Sequence, residues 1–119
     1  MSALPAAVVA GLIFTPIMIA AGQVLFKLAS RGVGDVGLAS LLSLATNGYL
    51  IAALIIYGAG TIIWIYLLRS VPLSFAYAFM ALTFVLVPIL SFLLLGESIT
   101  VRQIAGAALI ICGLILAAA

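Results

Sequence analysis

The sequence predicts an all-α integral membrane protein built as a bundle of four transmembrane helices. Of its 119 residues, 69% are hydrophobic and 5% are charged, whereas a water-soluble domain draws about a quarter of its residues from charged types. The apolar residues also fall into four nearly uncharged stretches, each close to the roughly 20 residues that a helix needs to cross a bilayer. We therefore expect residues 1–119 to form a single transmembrane domain.

The first predicted span runs from about Leu4 to Leu28, with no charge before Lys27. No basic residue precedes this apolar run, and it is longer than a signal-peptide core, so we expect it to be a retained span. Residues 36–45 follow as a second apolar stretch that is too short to cross the bilayer. It is expected to lie along the membrane interface or to pack as a short helix between spans.

The other three spans are marked by residues that begin and end helices. The second covers residues 49–68 after the cap residue Asn47, and the third covers residues 73–95. Pro72 suits the first turn of a helix and Gly96 suits the residue that follows a helix. The fourth span is predicted at 101–118, where Thr100 and Gln103 have the spacing of a capping box.

Composition also excludes whole classes of function. The chain has no histidine, one cysteine and two carboxylates, so a metal site or an acid–base or nucleophilic active site lacks its usual residues. We expect neither enzymatic activity nor a bound metal. Four scattered cations cannot form a stripe that follows a phosphate backbone, so nucleic acid is not an expected partner.

The charged residues lie near the ends of the predicted spans. Lys27, Arg31 and Arg102 fall on one side of the membrane and Arg69 on the other. This bias favours both termini outside but leaves either orientation open. Glu97, together with Arg102, is expected to form a loop ion pair or a helix-end charge rather than a catalytic site.

Polar side chains inside spans mark faces that point away from lipid. Gln23 and Lys27 are one helical turn apart on the first span, on the same face as Thr15 and Gly22. Two interpretations of Lys27 stay open: a cation that extends to the interface, or an anion contact at the mouth of a cavity.

Tyr57, Gly60, Thr61 and Trp64 share one face of the second span. This face could line a groove for a flat ring or an isoprenoid chain, or it could pack closely on another helix. On the third span, Ser74 and Tyr77 share a face and are further candidates for substrate binding.

Two more features concern helix geometry and association. Pro88 removes a backbone hydrogen bond inside the third span, which predicts a kink or hinge there. On the fourth span, small residues flank an aliphatic ridge, a pattern that favours a contact between subunits over packing within one chain. The residues of this predicted seam are Gly106, Leu109, Ile110 and Gly113. We expect the neighbouring Cys112 to be a small buried filler.

Three segments resemble a known family. They read A-G-Q-V-L-F-K-L-A-S from residue 21, W-I-Y-L-L-R-S-V-P-L-S-F-A-Y-A-F from residue 64, and L-L-G-E-S-I-T-V-R-Q-I-A-G-A-A-L-I-I-C-G-L-I-L from residue 94. The chain, except residues 31–48, is similar to an EamA-type repeat of the drug/metabolite transporter superfamily. Among four-span members it most resembles the small subunits of the bacterial aminoarabinose-phosphoundecaprenol flippase, and more distantly the small multidrug resistance proteins.

The resemblance implies a multi-pass transporter of the bacterial inner membrane. Its partners would be membrane lipid, including an undecaprenyl phosphate-linked glycan, and a second four-span chain in a homodimer or a heterodimer with a paralogous subunit. The resemblance implies no cofactor. One departure matters: small multidrug resistance proteins carry a membrane-embedded glutamate for proton exchange, and Ile19 stands at that position here.

We therefore expect a flippase subunit that binds or translocates a polyprenyl-phosphate-linked sugar, or a similar anionic amphiphile, by alternating access in a dimer. The cations would pair with phosphate while apolar walls accept the tail. The candidate substrate-binding residues are Gln23, Lys27, Tyr57, Trp64, Arg69, Ser74 and Tyr77. Two alternatives stay open: a small-molecule or drug exporter of the small multidrug resistance type, with an aromatic cation–π site, and a non-transporting membrane partner subunit.

Overall fold

A computed structural model describes residues 5–118 except the side chain of Ala118, and it is helical throughout, with no strand in this part of the chain. The predicted start of the first span at Leu4 lies outside the described residues. The helical segments are α1 (Ala6–Ser30), α2 (Leu38–Ala45), α3 (Gly48–Leu68), α4 (Leu73–Met80), α5 (Thr83–Leu95) and α6 (Val101–Ala118).

Three stretches are long and apolar enough to cross a membrane: Ala6–Ser30, Gly48–Leu68 and Leu73–Leu95. A shorter apolar helix covers Val101–Ala117. The chain is an all-α, multi-pass membrane protein. The predicted count of four helices is not exact, because α2 is an additional short helix and the third predicted span consists of two helices, α4 and α5.

The interruption between α4 and α5 lies at Ala81 and Leu82, and α5 continues through Pro88, where the sequence predicts a kink or hinge. The Thr83 hydroxyl donates to the Met80 carbonyl at 2.8 Å, the acceptor that the Phe84 N–H would use in a regular helix. The Phe84 N–H bonds instead to the Ala81 carbonyl at 3.0 Å. Side-chain competition for a backbone acceptor bends helices, and it acts here one turn before the proline ring.

Helices α3 and α6 both begin with side-chain caps at residues that the sequence marks as cap residues. The Asn47 Oδ1 accepts hydrogen bonds from the Tyr49 and Leu50 N–H groups at 2.9 and 3.2 Å. Thr100 and Gln103 form the predicted capping box, in which the Gln103 N–H donates to the Thr100 hydroxyl at 3.1 Å and the Thr100 N–H donates to the Gln103 Oε1 at 2.8 Å. Each cap satisfies N–H groups that the first turn leaves without a helical acceptor.

Helix α1 is the centre of the bundle. It packs most extensively against α3, then against α5 and α4, whereas α6 packs on α4 and α5. A buried cluster lies where α1 meets the end of α3 and the start of α4, and it consists of Leu12, Leu67, Val71 and Ala76. Much of the remaining apolar surface is exposed, because lipid and not water is the solvent for these faces.

Helix α2 forms within the stretch that the sequence marked as too short to span. Its leucines Leu38, Leu41 and Leu42 are all more than 60% exposed, and among the described elements α2 packs only lightly on α3. An eight-residue helix with an open apolar face next to a membrane span suits the bilayer interface.

Candidate functional site

A groove runs along α1, where this helix faces α4 and α5. It consists of three cavities that share lining residues, with volumes of about 520, 300 and 250 Å³. Ile19 is common to the first two cavities, and Gln23 is common to the last two. We call this feature the α1–α5 groove, and it is the candidate functional site.

Ile19, Gln23 and Lys27 form the α1 wall of the groove. They lie four residues apart, so they follow one face of the helix over about 12 Å, at 1.5 Å per residue. The opposite wall follows α5 in the same direction, from Thr83 at Ile19 to Ser91 at Lys27. The α5 wall is apolar in its middle, at Val87 and Pro88, and the groove is most polar at the Lys27 end.

The middle of the groove coincides with the interruption between α4 and α5. Thr83 and Phe84 line both the 520 Å³ and the 300 Å³ cavities. Pro88 lines the 300 Å³ cavity and has no N–H to donate to the Phe84 carbonyl. Irregular backbone at membrane depth is tolerated where it lines a cavity, and this segment satisfies that condition.

Tyr57 reaches α1 through a glycine. A Cβ atom on Gly22 would lie 2.6 Å from the Tyr57 Cδ2, so only glycine leaves room for the ring. The Gln23 Nε2 donates a hydrogen bond to the Tyr57 hydroxyl, and the ring of Phe26 packs with its centroid 5.2 Å from that of Tyr57. Tyr57 therefore positions Gln23, whereas Gln23 itself lines the groove.

The mouth of the groove carries opposite charges. The Lys27 Nζ lies 3.6 Å from the Glu97 Oε2, with the two side chains 49% and 42% exposed. Both line the 250 Å³ cavity together with Gln23 and Ser91. Of the two expectations for Glu97 and Arg102, a loop ion pair or a helix-end charge, the structure does not give the first: Glu97 pairs with Lys27, because the turn after α5 lies over the end of α1.

The other predicted site residues are distributed between the groove and its surroundings. Ser74 and Tyr77 line the 520 Å³ cavity at the end far from Lys27. Trp64 packs against the buried cluster of Leu12 and its neighbours. Arg69 follows the last residue of α3, and its Cζ lies 6.0 Å from the centroid of the Tyr66 ring. Arg69 does not line any of the three cavities.

The predicted aromatic face of α3 is used for contact with α1. Gly60 is buried, and a Cβ there would lie 3.7 Å from the Ile19 Cδ1 and 3.9 Å from the Met18 Cβ. The Thr61 hydroxyl donates to the Tyr57 carbonyl at 2.7 Å within the helix. Tyr57 and Gly60 of this face therefore pack on α1, whereas Thr61 is exposed.

The predicted seam on α6 is open within the described chain. A Cβ on Gly106 or Gly113 would meet nothing within 4 Å, and Leu109 is 74% exposed. Cys112 is exposed as well, so the expectation that it fills a buried space is wrong. The reason is that α6 lies at the edge of the bundle, where no described helix covers this face.

Sequence reasoning missed most of the residues that line the groove on α5 and the turn after it, among them Thr83, Phe84, Ser91 and Glu97. For Thr83, the available signal was a hydroxyl residue five positions before a proline in an apolar helix. For Glu97, it was the opposite charge of Lys27 on the same predicted membrane side. Ser91 and Phe84 carry no signal of this kind, because each is an ordinary residue of a membrane helix.

Comparison with known proteins gives one family match. The model of the EamA-like transporter family matches residues 2–119. The probable 4-amino-4-deoxy-L-arabinose-phosphoundecaprenol flippase subunit ArnE of Aeromonas salmonicida strain A449 is 43% identical over 68 residues, 57% of this chain and 60% of that protein. The protein of the same name from Yersinia pseudotuberculosis serotype O:1b is 39% identical over 71 residues, 60% of this chain and 62% of that protein.

The chain thus matches about 60% of the length of these curated relatives. No solved structure matches it.

Proposed function

The chain belongs to the EamA-like transporter family, and from that premise we propose that it is a flippase subunit of the bacterial inner membrane. It is a transporter and not an enzyme. The proposed cargo is a polyprenyl-phosphate-linked sugar or a similar anionic amphiphile, moved by alternating access in a dimer. The relatives named as probable 4-amino-4-deoxy-L-arabinose-phosphoundecaprenol flippase subunits support a polyprenyl-phosphate-linked sugar as the cargo.

The single observation that carries the proposal is the α1–α5 groove. It offers an ammonium group at the Lys27 mouth and apolar walls at Ile19, Val87 and Pro88. A lipid phosphate pairs favourably with a cation near the membrane face, and an isoprenoid chain needs only an apolar channel. The two parts of the groove therefore match the two parts of such a lipid.

The far end of the groove has its own polar contacts at Ser74 and Tyr77. Arg69 lies on the same predicted membrane side and is proposed as a second headgroup contact after translocation. Gln23, positioned by Tyr57, would bind the headgroup one turn deeper than Lys27. Trp64 would act indirectly, through its packing against the cluster that supports α4.

We propose four spans, with α6 as the fourth. Its 18 residues extend about 27 Å at 1.5 Å per residue, and membrane helices range from about 17 to 25 residues. The single transmembrane domain would then comprise α1, α3, the α4–α5 pair and α6, with α2 at the interface.

The drug-exporter alternative is disfavoured by Ile19. The position that holds the proton-exchanging glutamate in the small multidrug resistance proteins is aliphatic here, and it lines the middle of the groove. No Asp or Glu lies within α1, α3, α4, α5 or α6. Export of a cation in exchange for protons would need a carboxylate within a membrane span.

The test measures the binding and the translocation of a fluorescent polyprenyl-phosphate lipid in proteoliposomes. Lys27→Gln removes a charge-assisted contact of about 1.5–3 kcal/mol, so we expect lipid affinity to fall by about 10- to 100-fold. Arg102→Gln removes a cation at the same membrane side that lies outside the groove cavities, and it is expected to retain affinity. Equal affinities of Lys27→Gln and the parent chain would contradict the proposal.

Two further outcomes discriminate the alternatives. Transport of quaternary ammonium compounds driven by a pH gradient would favour the drug exporter. If the purified chain moves no lipid but does so after a second membrane chain is added, a partner role without transport of its own is favoured.

A further inference from the structure

The mouth of the α1–α5 groove lies between α1 on one side and α5 with the turn after it on the other. The α1 side of its 250 Å³ cavity is lined by Gln23, Val24 and Lys27. The opposite side is lined by Val87, Ser91, Leu95 and Glu97. A movement of α5 away from α1 would therefore widen the mouth directly.

Helix α5 is weakly held along its length. No residue of Thr83–Leu95 is buried within the described chain, and α5 packs less extensively on α6 than on α1. At its start, the interruption at Ala81 and Leu82 separates it from α4. Segments with little buried surface open at low free-energy cost, and a break between two helices allows one to move against the other. The interruption thus suits a hinge, and the position of α5 depends on the contacts at its far end.

Two polar contacts hold that far end to the end of α1. The Arg31 Nη2 donates to the Leu95 carbonyl at 3.2 Å, and the Lys27 Nζ lies 3.6 Å from the Glu97 Oε2. The Glu97 N–H also donates to the Ser91 carbonyl on α5 at 3.2 Å, which ties the turn to the helix. Both contacts with α1 therefore act on α5 and the turn as one body.

These contacts are strong enough to favour one position of α5 but too weak to lock it. The side chains of Lys27 and Glu97 are 49% and 42% exposed, and the Arg31 hydrogen bond is exposed as well. An exposed ion pair shifts an equilibrium by about fivefold at most. Both the joined and the separated arrangement would therefore be populated, as a part that opens in every transport cycle requires.

We propose that α5 and the turn after it form a gate at the Lys27 end of the groove. The hinge is the interruption at Ala81 and Leu82, and the latch consists of the Lys27–Glu97 ion pair and the bond from Arg31 to the Leu95 carbonyl. The inference rests on the proposed function, in which the groove is the path of the cargo, and it names the part that opens this path. Lys27 pairs with Glu97 while the gate is closed and becomes available to an anionic headgroup when the gate opens.

The test measures how fast a neutral, water-soluble maleimide labels Ser91→Cys in the Cys112→Ser chain, in detergent and without cargo. The double substitution Lys27→Gln/Glu97→Gln removes the ion pair but keeps the net charge of the mouth, so we expect labelling to be about fivefold faster. The exchange Lys27→Glu/Glu97→Lys restores the pair with its signs reversed and should return the rate to that of the parent.

The second contact and the charge dependence are tested in the same assay. Arg31→Met removes the bond to the Leu95 carbonyl and should also speed labelling. Arg102→Met removes a cation outside the groove cavities and should leave the rate unchanged. Raising the salt concentration from about 0.1 M to about 1 M shortens the screening length from about 10 Å to about 3 Å. This change should speed labelling of the parent and have little effect on the double Gln chain.

Ala76→Cys is the control for general unfolding, because Ala76 is fully buried outside the gate. Its labelling should be equally slow in all variants. The inference is wrong if the double Gln chain is labelled at the parent rate, if the charge exchange does not restore that rate, or if Ala76→Cys is accelerated to the same extent. Since no cargo is present, any of these results would leave the proposed function to be decided by lipid translocation. A gate that opens as expected in a chain that moves no lipid would contradict the proposed function alone.

Discussion

A single methyl group at Gly22 tests the contact that positions Gln23. In Gly22→Ala the new Cβ would lie 2.6 and 2.7 Å from two carbon atoms of the Tyr57 ring, and the ring must move. Overpacking of this kind costs about 1–3 kcal/mol, which exceeds the up to about 1 kcal/mol that alanine contributes over glycine in a helix. We expect a lower unfolding temperature in detergent and weaker lipid binding, measured by thermal unfolding and by titration with the fluorescent lipid.

Gly58→Ala is the control for this substitution. It lies in the middle of α3, next to Tyr57, but its Cβ would meet nothing within 4 Å. We expect unchanged or slightly higher stability and normal lipid binding. Equal effects of the two substitutions would mean that the close approach of Tyr57 to α1 does not matter.

Several residues of the site were predictable one by one. Gln23, Lys27, Ser74 and Tyr77 are polar or amphipathic residues within or next to apolar spans, and all four line the groove. Tyr57 was predictable as part of a helical face, but its role in positioning Gln23 depends on the register between α1 and α3. That register is a property of two packed helices and is not encoded in the spacing of either one.

At the scale of helices, Thr83 is the residue that separates α4 from α5. Thr83→Val has a similar shape but leaves the Met80 carbonyl free to accept the Phe84 N–H. We expect the Phe84 N–H to exchange its Ala81 acceptor for the Met80 carbonyl. The two helices should then become more nearly continuous, and amide hydrogen exchange at Phe84 should slow. Translocation should slow with it, because a bend between half-helices allows one part of a transporter to move against another.

Thr61→Val is the comparison for that experiment. The Thr61 hydroxyl also donates to a backbone carbonyl, that of Tyr57 at 2.7 Å, but α3 is unbroken around it. Hydrogen exchange and translocation should therefore change little. If Thr83→Val left exchange at Phe84 unaltered, the interruption would depend on Pro88 or on packing, and not on the hydroxyl.

The spans and their caps follow from local chemistry, which explains why the sequence predicts them. Asn47, Thr100 and Gln103 bond to backbone groups within three residues of themselves, so their spacing is sufficient. The interruption at Ala81 was not predicted, because a threonine in a membrane helix is a weak signal. Competition between two donors for one carbonyl becomes visible only when the backbone path is known.

For the whole molecule, the distribution of exposed surface supports association. Ala76 is the only described residue of the third span, Leu73–Leu95, that the rest of the described chain buries. The α1–α5 groove is also a shallow feature bounded by helices on two sides. Small residues on α6 allow two helix backbones to approach closely in lipid, so this open face suits contact with a second four-span chain.

This assembly can be tested with the one cysteine of the sequence, Cys112, which is exposed beside Gly113. If α6 pairs with α6 of a second copy, mild oxidation in membranes should give a disulfide-linked dimer. Gly113→Leu should prevent the close approach, abolish the cross-link and weaken the dimer at least about tenfold, which corresponds to about 1.4 kcal/mol. Gly58→Leu adds the same side chain at another open glycine and should leave the cross-link and the dimer affinity unchanged. If cross-linking and native mass spectrometry still show a dimer in Gly113→Leu, the subunits meet at another surface. If the chain forms dimers only with a paralogous subunit, the assembly is a heterodimer.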